Sequence, residues 1–81
     1  MHGVYVRGER PKTKKSLREA LDAEPDRVHI EATSVFGNEY DGPASGLPDG
    51  ATVYIVGPDP FRSRNWYANL SRGKDGRLVL R

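Results

Sequence analysis

Arg62, Arg64, Trp66 and Tyr67 stand within six residues of one another in the stretch VGPDPFRSRNWYANL, residues 56–70. Guanidinium groups beside aromatic rings suit two kinds of contact. One is phosphate pairing with base stacking, the other a protein–protein hot spot. Pro58 and Pro60 stiffen the turn that leads into this group. On an extended backbone Arg62 and Arg64 project to one side, and Trp66 joins them if the strand has begun, with Tyr67 opposite. The competing reading makes Trp66 the main core aromatic and leaves both arginines merely solvated.

A second constellation is Arg10, Lys12, Thr13, Lys14 and Lys15. Thr13 suits an N-cap, which puts Lys14 and Lys15 in the first turn of a helix. Cations there oppose the helix dipole. With the free N–H groups of that turn they would stabilise a phosphate or carboxylate. A solvated, lysine-rich loop is the alternative. The loop segment SVFGNEYDGP adds Phe36 and Tyr40 among acids, as further candidates for a partner contact.

Glu39 and Asp41, with Glu31 or His29, do not follow the spacing of any established metal loop. No metal and no cofactor are expected. His2 and His29 are the two histidines, and His2 is expected at a frayed terminus. No nucleophile sits in a recognised elbow, and Gly8, Gly37 and Gly57 do not form a phosphate-cradling loop. The chain reads as non-enzymatic.

The elements that must carry these groups follow from periodicity. GVYVR alternates as a half-buried strand, and Leu17, Ala20 and Leu21 mark one face of a helix over about 14–23. Pro25 sets its far limit, and three turns of helix persist only when docked. DRVHIEATS alternates again, so strand, helix and strand read as a βαβ unit with parallel strands. Residues 35–50, with four glycines and two prolines, read as a long irregular loop. ATVYIVG is a strand, and WYANLSR, GKDG and RLVLR form a C-terminal hairpin. The sum is one α+β domain over 1–81, in the order β-α-β-loop-β-β-β. One helix packs on a mixed sheet of about five strands. The expected core is Val4, Val6, Leu17, Leu21, Val28, Ile30, Val53, Ile55, Leu70, Leu78 and Leu80.

Composition bounds the rest. Eighty-one residues, 36% of them apolar, allow one small core. The absence of cysteine excludes disulfides, thiolate catalysis and Cys-based zinc sites. No apolar run reaches the roughly 20 residues of a membrane span, and the N-terminal stretch is unlike a signal peptide. A soluble cytoplasmic protein is expected. Net charge is only +2, yet it is sorted along the chain. Residues 1–18 sum to +5, residues 19–49 to −7 and residues 50–81 to +4. Unlike faces of this kind steer partners.

IEATSVFGNEYDGP (30–43), VGPDPFRSRNWYANL (56–70) and PKTKKSLREAL (11–21) together resemble a family of small uncharacterised actinobacteriophage proteins, encoded by viruses of mycobacteria and their relatives. The resemblance runs over most of the chain. It implies an accessory protein acting in the infected bacterial cell and binding a host or phage macromolecule. A protein partner is the first expectation. Nucleic acid, gripped by the basic N-terminal loop and the Arg62/Arg64 turn, is the alternative.

Overall fold

The computed structural model describes residues 1–33 and 39–81. Its strands are β1 (His2–Val6), β2 (Val28–Ala32), β3 (Gly42–Pro43), β4 (Thr52–Asp59), β5 (Ser63–Arg72) and β6 (Leu78–Leu80). One helix, α1 (Lys14–Ala23), falls where the apolar spacing puts it. Thr13 is extended, with φ −135° and ψ 155°, and its side-chain oxygen accepts the Ser16 N–H at 3.1 Å. At the other end the Glu24 N–H bonds to the Ala20 carbonyl, and Pro25 opens a 3-10 turn through Arg27.

Among the described residues the six strands form one mixed sheet, in the order β3-β2-β1-β4-β5-β6. The architecture is α+β, with six strands where about five are expected. The extra strand is β3, which lies inside the stretch read as an irregular loop. That stretch also holds a 3-10 turn, Ala44–Gly46, and gives Ala44 and Leu47 to the core. Alternation is invisible over a two-residue strand, so periodicity has no means of finding it.

The expected parallel βαβ unit is wrong. β1 and β2 are antiparallel, pairing Val4 with Ile30 and Val6 with Val28. A parallel crossover must re-enter the sheet at the end opposite to the one it left. Here the chain turns back at once after β1, with the Val6 N–H bonded to the Glu9 carbonyl and Arg7 and Gly8 at φ 52° and 82°. The helical excursion then returns to its point of departure. The Arg7 N–H bonds to the Arg27 carbonyl, and Arg7 Nε pairs with Glu24 Oε1 at 2.8 Å. The parallel neighbour of β1 is β4 instead, in register at His2 and Ile55.

Period-2 alternation gives the sheet two unlike faces. Val4, Val28, Ile30, Val53, Ile55, Ala68 and Leu70 point to the side where Leu17, Ala20 and Leu21 of α1 seal the core. Val6, Leu78 and Leu80 pack half-buried at its margin. No helix covers the other face among the described residues. It presents Tyr54 and Tyr67, 61% and 63% exposed. His2 is a correction: its side chain is buried on the core face, 8% exposed, and not frayed.

Candidate functional site

β4 and β5 form a long hairpin whose register decides what each face carries. Tyr54 pairs with Asn69 and Val56 with Tyr67. Directly paired residues share a face, so the two tyrosines are diagonal neighbours on the uncovered side. Gly57 pairs with Trp66, but the next pair is Pro58 with Arg64, which leaves Asn65 as the extra residue of a bulge. A bulge breaks alternation and re-aims a side chain. Trp66 therefore packs half-buried against the core, with its indole over Gly57. Arg64 is turned to the opposite side, where its Nε donates to the Pro60 carbonyl at 2.8 Å. The expectation that Arg62, Arg64 and Trp66 share one side fails at this bulge. Tyr67 takes the place beside the arginines.

The hairpin tip is shaped by Asp59. Its carboxylate accepts the Phe61 N–H at 2.9 Å and its carbonyl accepts the Arg62 N–H. Pro60 is fully buried, whereas Phe61 next to it is 65% exposed. Arg62 and Arg64 are exposed and form no ion pair among the described residues. Tyr54, Phe61, Arg62, Arg64 and Tyr67 thus lie on one hairpin, bordered by Asn65 and Asn69.

The basic N-terminal group is divided. Arg10 leaves it, lying 3.9 Å over the Tyr5 ring with Nη1 2.9 Å from Glu31 Oε1. That approach is close enough for an ion pair, though its angle is not that of a hydrogen bond. Thr13 spends its side-chain oxygen on the helix cap. Lys12 and Lys15 are exposed and Lys14 is half-buried. The anion pocket expected at these five residues is therefore left with its lysines alone, Arg10 being held elsewhere.

Of the acidic-loop residues, Phe36 lies outside the described residues. Tyr40 is half-buried; its hydroxyl donates to the Pro43 carbonyl at 2.5 Å and stands close to Gly42 and Gly46. It holds the 39–46 segment against the core. Asp41 is bonded to the Ala32 N–H through Oδ2 and to His29 Nε2 through Oδ1, each at 3.0 Å. The Ala32 N–H is the main cause that holds this carboxyl below its ordinary value, against the small cost of burial, and His29 adds to it. Among the described residues no three His, Cys, Asp or Glu side chains converge as a metal site.

Two members of the exposed group were not singled out from the sequence. Tyr54 was detectable, since TVYIV places it opposite Val53 and Ile55. Phe61 carries no periodic signal, because it sits in the turn. No protein-family model, curated protein or solved structure matches the chain. No helix among the described residues is long and apolar enough to cross a membrane.

Proposed function

We propose that this chain is a small, non-enzymatic phage accessory protein that binds a host or phage protein in the cytoplasm of the infected cell. One observation carries the reading. The sheet face left uncovered by α1 presents Tyr54 and Tyr67, and the tip end of the same hairpin carries exposed Phe61, Arg62 and Arg64. Tyr and Arg anchors on a preorganised scaffold lose little freedom on binding. Replacing Arg62 and Arg64 together with Ala is expected to abolish capture of a partner from host lysate at an unchanged melting temperature. Solvated arginines contribute little to stability. Capture that survives the double change removes the reading.

Nucleic acid is the second reading, and a specific contact favours it. Arg10 Nη1 and Pro60 Cγ both lie within 3 Å of the point where a Cβ on Gly3 would stand, at 2.7 and 2.8 Å. Arg10 and the arginine turn therefore meet on one side of the sheet. Glu31 Oε1 meets them there, at 2.6 Å from the same point, and weakens the positive field. Labelled single- and double-stranded DNA and RNA, titrated at two salt concentrations, separate the two readings. A nucleic-acid binder loses affinity steeply with salt, and absence of binding at low salt removes it.

A further inference from the structure

The uncovered face is basic along its β6 margin. Asn69 of β5 exchanges backbone hydrogen bonds with Arg81, at 3.1 and 2.9 Å, so the two side chains share a face. Val79 pairs with Ser71, and the Gly73 N–H bonds to the Arg77 carbonyl. Leu78 and Leu80 turn to the core between them, which sends Arg77, Val79 and Arg81 to the side of Tyr54 and Tyr67. Both arginines are exposed and form no ion pair among the described residues. They stand four residues apart, about 13 Å along the strand. Tyr54, Asn69 and Arg81 lie in one row across β4, β5 and the end of β6, so Arg81 is about 10 Å from Tyr54. The acids lie elsewhere or in the turns. Glu31 faces Arg10 and Asp41 is bonded to His29, both toward β2. Asp59 and Asp75 each accept a backbone N–H in a turn, from Phe61 and Arg77. Asp49 precedes β4, at the end away from the tip.

A single strand of nucleic acid has a charged backbone along one side and open base faces along the other. Exposed rings beside a line of cations match both. A duplex keeps its base faces hidden. An acidic peptide would pair with the arginines but has no planar group at each residue to lay on two rings. We propose that the β4–β5–β6 face binds a single strand of DNA or RNA, its bases stacked on Tyr54 and Tyr67 and its phosphates paired with Arg77 and Arg81. This rests on the nucleic-acid reading above and moves its seat away from Arg10. It leaves the tip, with Phe61 and Arg62, to a protein partner. Stacking and phosphate pairing are blind to base identity, so little sequence preference is expected.

The test uses the full chain with four probes: oligo-thymidine, oligo-uridine, a DNA duplex of equal length, and poly-glutamate. At least one single strand is expected to bind more tightly than the duplex or poly-glutamate, and to shift the amide signals of Tyr54, Tyr67, Asn69 and Arg81. The better of the two assigns DNA or RNA. Tyr54→Ala and Tyr67→Ala should each weaken binding about five- to a hundredfold, as loss of one stacked base does. Tyr54→Phe and Tyr67→Phe, which keep the ring, should retain it. The double change R77A/R81A should lower the slope of log affinity against log salt by about 1.4, from two phosphate contacts at about 0.7 each. An unchanged slope overturns the proposal, and so does binding indifferent to both tyrosines. A duplex bound as tightly as the single strands overturns it too, since charge alone then explains the binding. Poly-glutamate bound best at the same residues overturns it in favour of a protein. The protein reading fails or stands separately. Loss of the oligonucleotide in R77A/R81A, with capture from lysate intact, upholds a strand site beside a protein site. Capture that needs Arg62 and Arg64 while no oligonucleotide binds removes the strand site alone.

Discussion

The indole of Trp66 lies over Gly57, its cross-strand partner, so closely that a Cβ on Gly57 would fall among the indole's own atoms. Glycine within a strand marks such a close approach of another group. The pair sits immediately before the bulge that sends Arg64 to the other face. The packing of the one tryptophan and the presentation of the arginine are therefore neighbouring consequences of one local geometry.

Gly57→Ala is accordingly expected to destabilise the fold by about 1–3 kcal/mol or more, as overpacking does. Urea denaturation followed by far-ultraviolet circular dichroism measures it. In a Trp66→Val background the same change should cost clearly less, because contacting residues are not additive. Equal costs in both backgrounds would place the strain elsewhere.

The helix supplies the second expectation. Leu17 is fully buried and Leu21 nearly so, both on the face that α1 turns to the sheet. Leu17→Ala and Leu21→Ala should each cost about 2–5 kcal/mol. A neutral outcome in denaturant melts for both would show that α1 is not docked as described.

What was legible from residues alone divides along physical lines. Leu17, Ala20 and Leu21, with Thr13 before them and Pro25 after, define α1 to the residue, because capping and periodicity are local signals. Strand partners are not local. The antiparallel pairing of β1 with β2 hinges on the reversal at Arg7–Glu9, where Arg7 adopts a positive φ that side chains other than glycine seldom take. The site was legible in part. Arg62 and Arg64 stand out by type, and both are exposed. That Trp66 faces away from them depends on one extra residue opposite Gly57, and a one-residue shift moves every later side chain to the other face. Burial of His2 was hidden likewise, since it comes from β4 and Glu39 closing around the start of β1.

His2 gives a dependence on pH. Burial is the main cause that lowers its pKa below 6.5, outweighing Glu39, whose Oε2 lies 3.5 Å from Nε2; the N-terminal amine also lowers it, and Asp41 raises it slightly. The unfolded chain therefore takes up a proton on His2 before the folded one does. Stability is fully present above the unfolded value of 6.5 and declines as pH falls through and below it. Asp41 acts further down: its folded pKa lies below 3.8, so its contribution is present above 3.8 and lost as pH falls through the folded value. Thermal melts between pH 8 and pH 5 should show the first decline, and His2→Gln should flatten it. An identical slope in that variant assigns the dependence to another group.

The last prediction concerns what holds the hairpin tip in place. A Cβ on Gly3 would stand 2.8 Å from Pro60 Cγ, 2.7 Å from Arg10 Nη1 and 2.6 Å from Glu31 Oε1. The two charged groups are ends of flexible side chains and can retreat, but the proline ring is part of the tip and moves only with it. Gly3→Ala should therefore lift Pro60 from β1, at an overall cost within the 1–3 kcal/mol typical of an inserted methyl. Its larger effect falls on Phe61, Arg62 and Arg64, which follow Pro60 in the chain. Amide hydrogen exchange is expected to quicken at Phe61 and Arg62 well before it changes at Ile55 or Leu70, since local opening is set by local contacts. Partner affinity should fall together with that loss of protection, because a mobile tip must be ordered again on binding. If exchange at the tip stays as slow as in the parent chain, Pro60 is not the fastening, and the arginines are held by the β4–β5 ladder alone.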